Sequence, residues 1–155
     1  MRLLGQSVRS TGGAGRAYST SMQEAFIRSL AARRLEIRAR WEAFLRVERV
    51  NTPLANPDTL VYLFDQTLDE VFALLRHPGV QHAQIPLGQG SERNPLVAYF
   101  MAAEQALLEG LILAQAETRD LNPVERDADL AELKGVVRSI ARRDIGSLEG
   151  VCRTK

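Results

Sequence analysis

The two histidines, His77 and His82, are the first residues that could do chemistry, because imidazole binds metals and transfers protons. A metal site needs three or four ligands, and no cysteine lies near this pair in the sequence. The Glu-x-x-His pairs that build di-iron sites in helical bundles are also absent from the sequence. We therefore expect no metal and no cofactor, and we expect His77 to interact with the end of a helix.

Three other patterns resemble functional sites only superficially. Gly88-Gln89-Gly90 looks like a phosphate loop, but it follows no predicted strand and lacks the Gly-Lys-Ser/Thr sequence that holds phosphates. Cys152 is the only cysteine, so it forms no internal disulfide, and it is expected to be a thiol in a tail. Paired acids such as Asp69-Glu70 and Asp127-Asp129 fall on faces predicted to be solvated, without a nucleophile or base beside them. The sequence therefore predicts a protein that is not an enzyme.

The segments that would position these residues have the apolar spacing of α-helices. Apolar residues recur every three or four positions in four segments, and no segment shows the alternation of a strand. Three Asn-Pro pairs can each cap and begin a helix: Asn56-Pro57, Asn94-Pro95 and Asn122-Pro123. The segments cover about 22–50, 57–76, 95–118 and 123–148. The prediction is an all-α domain of four long antiparallel helices in a bundle, with a globin-like or sensor-domain-like variant left open.

Two details of the first segment carry sharper predictions. Ser21-Met22-Gln23-Glu24 matches a capping box, in which Ser21 would accept from the N–H of Glu24 and Glu24 would bond back. Trp41 belongs to the apolar stripe, so we expect the second and the third or fourth helices to bury it.

Charge is distributed unevenly along the chain, although the net charge is only +1. Residues 1–50 carry ten arginines and four acids, whereas residues 51–131 carry four arginines and twelve acids. The first helix and the middle helices should therefore attract each other when they pack. Arg33, Arg34, Arg38 and Arg40 form a basic run without interleaved exposed aromatics, so nucleic acid is not the expected partner.

Residues 1–21 differ in composition from the rest of the chain. They contain three arginines, six serines or threonines and four glycines, but no acid, which is typical of a mitochondrial transit peptide. Arg16-Ala17-Tyr18 before Ser19 also resembles a matrix processing site. The alternative is that Met22 is the true start. Both interpretations place the working edge of the protein at residues 19–22. We expect a disordered or cleavable segment over 1–21, a helical bundle domain over 22–150 and a tail over 151–155.

Localisation follows from that choice. We expect a cytoplasmic protein, or a mitochondrial matrix protein if residues 1–18 are a transit peptide. The segments contain no uncharged apolar run of about 18 residues, so no membrane span is predicted.

The connection His77–Asn94 is longer than two neighbouring helices need, which indicates a lid, a binding loop or a mobile segment. Its apolar residues should pack over one end of the bundle, near the start of the third predicted helix. The candidate ligand or partner surface is His77, His82, Ile85, Leu87, Arg93 and Tyr99.

One family resemblance rests on the order of these segments. Arg40-Trp41-Glu42-Ala43-Phe44-Leu45 is followed by Leu60–Leu75, the long connection and Asn94-Pro95-Leu96-Val97-Ala98-Tyr99-Phe100. Over about residues 23–145, this order resembles the N-terminal RsbRD-type domains of bacterial stress-signalling co-antagonists and some sensor kinases. Such domains are helical, related in shape to globins without haem, and act as sensing and dimerising modules. The resemblance therefore implies binding.

The functional prediction is a non-enzymatic helical interaction or sensor-like regulatory module. Its partner would be another protein or a second copy of the chain. Two alternatives stay open, an accessory subunit of a mitochondrial assembly and a helical bundle that binds a small ligand under the connection 78–94, near Tyr99 and Phe100.

Overall fold

A computed structural model describes residues 22–47, 57–77, 94–118 and 121–153. All regular structure in these ranges is α-helical, which confirms the predicted all-α class. There are five helices in the described part of the chain, rather than the predicted four. They are α1 (Glu24–Ala32), α2 (Arg34–Val47), α3 (Pro57–Arg76), α4 (Pro95–Ala116) and α5 (Pro123–Arg153).

The additional helix arises because the first predicted helix breaks at Arg33. Arg33 has φ −89° and ψ 12°, and its N–H donates to the carbonyls of Ser29 and Leu30 as α1 ends. The carbonyl of Arg33 accepts from the N–H of Ile37 at 2.9 Å, so α2 begins at once. Neither glycine nor proline marks the break, and the apolar stripe continues through it. The sequence therefore offered no signal for it.

Two ion pairs to different helices surround the break. Arg33 binds Glu117, just after α4, whereas the next residue, Arg34, binds Asp65 on α3 with Nε to Oδ1 at 2.8 Å. The two arginines thus fix the joint between α1 and α2 to both neighbouring helices.

The predicted Asn-Pro caps are present where the structure describes them. The side chain of Asn94 accepts from the N–H of Leu96 at 3.0 Å, and that of Asn122 accepts from the N–H of Val124 at 2.9 Å. Each bond satisfies a donor that the first turn leaves without a helical partner. α3 begins at Pro57, as predicted, while Asn56 lies outside the described residues.

Two helix ends differ from the predicted positions. The N-cap of α1 is Gln23, without a side-chain cap bond, whereas Ser21 of the predicted capping box lies outside the described residues. Glu24 instead pairs with Arg76 at the end of α3, at 3.6 Å. At the other end, α5 continues to Arg153 and includes most of the predicted tail. The segment 1–21 lies outside the described residues.

The core forms where α3 and α4 each pack against α1, α2 and α5. Trp41 is fully buried, stacks on Phe64 with ring centroids 4.3 Å apart and lies 4.7 Å from the ring of Tyr99. Its Nε1 donates to the carbonyl of Tyr99 at 3.0 Å, so the indole is both packed and hydrogen bonded. The predicted burial of Trp41 between the helices that begin at Pro57 and Pro95 is confirmed.

Ion pairs between helices confirm the predicted attraction of basic and acidic segments. Arg34 and Arg38 on α2 both bind Asp65 on α3, at 2.8 and 2.9 Å. On α5, Arg143 binds Glu70 of α3, and this contact holds the pKa of the Glu70 carboxyl below its ordinary value. Most of these groups are partly exposed, so each pair orients helices more than it stabilises them.

Candidate functional site

Of the six predicted site residues, His77 and Tyr99 are the two that lie in the described part of the chain. His82, Ile85, Leu87 and Arg93 lie outside the described residues, as does the connection 78–93. His77 is exposed directly after α3, and its backbone N–H donates to the carbonyl of Leu74 at 3.2 Å. The predicted lid therefore stays a prediction.

Tyr99 is a correction, because it lies in the core and not on a surface. Its side chain is only 1% exposed, and its hydroxyl is 2.9 Å from the hydroxyl of Thr67. Burial raises the pKa of the Tyr99 hydroxyl above its ordinary value. The phenol is thus a neutral core group that joins α4 to α3.

A different surface appears on α4, the most apolar of the helices. Among the described helices it alone is long and apolar enough to cross a membrane by length and composition, a test that core helices of soluble proteins also pass. Less than half of its apolar window is buried within the protein. A helix that is apolar nearly all round but only partly covered leaves apolar surface in solvent.

Four apolar residues of α4 form one stripe, which we call the α4 face, while the exposed Leu113 lies apart from it, in a groove toward α2. Met101 and Ile112 are 58% and 52% exposed, while Val97 and Leu108 are partly buried. At 3.6 residues per turn, these four positions fall within an arc of about 60°. The α4 face is therefore an apolar strip along the helix, with Glu104 and Gln105 between its two pairs of apolar residues.

Polar residues border the α4 face on both sides. Toward α5, Arg138 binds Glu104 through two bonds of 2.8 Å. Toward α2, Arg40 binds Glu109 at 2.7 Å, and Gln105 donates to the same carboxylate at 3.0 Å. These bonds hold the pKa of the Glu109 carboxyl below its ordinary value, so it remains charged at neutral pH. An apolar strip with a charged rim is the arrangement found in protein interfaces.

The same contacts show why α4 belongs to the protein core on its other side. Glu104 and Glu109 are tied to arginines of α5 and α2, and Gly110 is buried against Ile37 and Leu30. A membrane-spanning α4 would have to leave these contacts and take two carboxylates into lipid. These contacts tie this side of α4 to α2 and α5 within the protein.

A groove between α2 and α4 runs beside this face. Its volume is about 250 Å³, and Leu113, Ile37 and Arg40 are among the residues that line it. Small-molecule sites usually have larger, well-enclosed cavities of about 300–1,000 Å³. The groove therefore lies beyond the Arg40–Glu109 rim of the α4 face and is smaller than a usual ligand pocket.

A buried polar cluster lies at the opposite end of α4 from the aromatic core. Gln115 is 2% exposed and Asp129 is 7% exposed; the amide of Gln115 donates to the carbonyl of Arg126 at 3.3 Å and reaches Asp129 at 3.5 Å. Oε1 of Gln115 has no hydrogen-bond partner. Burial raises the pKa of the Asp129 carboxyl and that of the neighbouring Glu132. In the described ranges, no group of three or more His, Cys, Asp or Glu residues could hold a metal ion.

Sequence reasoning missed the α4 face because it assigned one apolar stripe to each helix. The inward stripe of α4 includes Tyr99, Ala103 and Leu107, and all three are buried. A second set of apolar residues at 97, 101, 108 and 112 lay outside that stripe and was the available signal. Asp129 was missed for another reason, because its charge suggested solvent although it lies four residues before the buried Leu133.

Comparison with known proteins adds no relative from which a function could be transferred. No protein-family model matches the chain, and neither the curated proteins nor the solved structures include a significant match.

Proposed function

We propose that the protein is a non-enzymatic helical interaction module that binds a protein through the α4 face. The observation that carries the proposal is the exposure of Met101 and Ile112 between two rims of ion pairs. Large apolar side chains that share one exposed strip are costly to leave in water and commonly mark an interaction site. This proposal agrees with the binding role implied by the RsbRD-type resemblance.

The ion pairs of the basic run, which covers the α1–α2 joint and α2, support a protein partner over nucleic acid. Arg34 and Arg38 bind Asp65, and Arg40 binds Glu109. Arg33, at the joint, also binds carboxylates, those of Glu36 and Glu117. Guanidinium groups engaged in this way would have to exchange carboxylates for phosphates before they could contact a nucleic acid backbone.

Site-specific photo-crosslinking in cells that express the natural gene tests this function. Benzoylphenylalanine in place of Met101 should form discrete crosslinked products that mass spectrometry identifies as protein. The control carries the same group in place of Leu35, which is 77% exposed on α2 but flanked in sequence by Arg34 and Glu36. Equal products from both positions, or none from Met101, would contradict the proposal.

A further inference from the structure

The intervals between the four residues of the α4 face are the same when they are counted from either end of the helix. Val97, Met101, Leu108 and Ile112 are separated by four, seven and four residues. The outer and inner pairs therefore share one midpoint, between residues 104 and 105. An antiparallel pair of α4 helices centred there would place Val97 against Ile112 of the second copy and Met101 against its Leu108.

We infer that the partner of the α4 face is a second copy of this chain, packed with antiparallel α4 helices about a two-fold axis between Glu104 and Gln105. This inference rests on the proposed function and names its partner. A two-fold contact requires a surface that complements itself, and the symmetric spacing supplies that property. A parallel pair needs no such symmetry, because each residue would face its own counterpart.

Charge at the axis is also self-complementary. In the antiparallel arrangement, the α5 side of one copy faces the α5 side of the other, so the two Glu104 carboxylates come close together. Each brings Arg138 with it, bound through two bonds of 2.8 Å. The axis therefore holds two carboxylates and two guanidinium groups, which can pair within or between copies without net charge. Antiparallel packing also opposes the two helix dipoles.

The size of the contact sets the expected affinity. From residue 97 to residue 112 the strip is about 22 Å long, since each residue rises 1.5 Å. One helix face of this length, with parts of α2 and α5 beside it, buries less than the roughly 800 Å² per partner of a standard interface. The dimer should therefore be reversible, with a dissociation constant of about 1–100 μM.

Sedimentation equilibrium across this concentration range tests the dimer. Met101→Arg should raise the dissociation constant at least tenfold, because the guanidinium would face Leu108 of the second copy. Leu35→Arg is the matched control at an exposed apolar position on α2 and should leave the dissociation constant unchanged. Arg138→Gln should weaken the dimer, whereas Arg143→Gln, which breaks the pair with Glu70, should not.

Cysteine crosslinking distinguishes the antiparallel pair from a parallel one. In a Cys152→Ser background, Gln105→Cys should form a disulfide-linked dimer on mild oxidation, because helices 8–10 Å apart bring the two positions within disulfide range. Val97→Cys alone should not crosslink, since the two positions would be about 22 Å apart along the helices. A mixture of the Val97→Cys and Ile112→Cys proteins should crosslink to each other.

The outcomes separate this inference from the proposed function. Self-crosslinking of Val97→Cys, or a monomer at all concentrations, would overturn the antiparallel dimer. If the protein is a monomer but still photo-crosslinks to a different protein at Met101, the proposed interaction module stands. Only the second copy as its partner is then ruled out. A monomer without crosslinks at Met101 would overturn both proposals.

Discussion

The two faces of α4 are both apolar and differ in whether other helices cover them. The face toward α2 carries Tyr99, whose ring lies 4.7 Å from that of Trp41, together with the small residues Ala106 and Gly110, whereas the exposed face carries Met101, Leu108 and Ile112. A Cβ atom at residue 110 would lie 3.1 Å from Cγ1 of Ile37, closer than ordinary van der Waals contact. The absence of a side chain at Gly110 thus allows α2 to approach α4 closely at this point. Helix hydrophobicity alone could not identify which face is covered.

The largest loss of stability should follow from truncating a side chain that covers the inner face of α4. Trp41→Ala should reduce the free energy of unfolding by about 3–5 kcal/mol, as large-to-small core substitutions do. The variant loses the stack on Phe64 and leaves the Tyr99 carbonyl without its indole donor. Urea denaturation at low micromolar protein concentration measures the change.

Ile112→Ala on the exposed face is the control for that experiment. It should cost less than about 1 kcal/mol, because surface substitutions away from special contacts have small effects. Similar costs for the two variants would contradict the assignment of inner and outer faces.

An intermediate effect is expected where the helices approach most closely. Gly110→Val should destabilise the fold by about 1–3 kcal/mol, because the added carbons must displace Ile37 and Leu30. Gly146 on α5 is the matched helical glycine, with no atom within 4 Å of an added Cβ. Gly146→Ala should stabilise the protein by about 0.5–1 kcal/mol through helix propensity. Thermal unfolding measures both changes. If the two substitutions shift the midpoint temperature in the same direction, the close contact between α2 and α4 is contradicted.

Residues that are adjacent in sequence predicted where the helices begin. Features that depend on contacts between distant residues could not be predicted from the sequence. The Asn-Pro pairs placed the starts of α4 and α5 correctly, because capping depends on residues adjacent in sequence. The break at Arg33 was missed, since ion pairs to residues far along the chain surround it. Tyr99 was assigned to the candidate surface, although its position in the inward apolar stripe of α4 indicates the core in which it lies.

The functional surface, like the tertiary contacts, could not be identified from the sequence alone. Periodicity identifies which residues of α4 can face a core, but it cannot show which apolar faces other helices leave uncovered. That property depends on the packing of α1, α2 and α5 around α4. The α4 face therefore required the structure, although its spacing was already present in the sequence.

The smallest expected effect lies at the Gln115–Asp129 cluster, and it should depend on pH. Burial raises the pKa of the Asp129 carboxyl, and the nearby Glu125 carboxylate adds to the shift. The folded state therefore binds this proton more tightly than the unfolded state does. The stability that Asp129 contributes is complete below its unfolded pKa of about 3.9 and is lost as pH rises through the folded pKa.

Asp129→Asn should remove this titration and supply an N–H donor for Oε1 of Gln115, the buried oxygen without a partner. Satisfying such a group is worth about 1 kcal/mol, so the variant should be more stable than the natural protein at pH 7. Its advantage should shrink as pH falls toward 4, since protonated Asp129 can donate the same bond. Urea denaturation from pH 4 to pH 8 measures the difference. Glu132→Gln is the control, because the pKa of Glu132 is also raised but its contact is with the N–H of Met22. Parallel stability profiles for Asp129→Asn and the natural protein across this range would show that Asp129 does not titrate as a buried group.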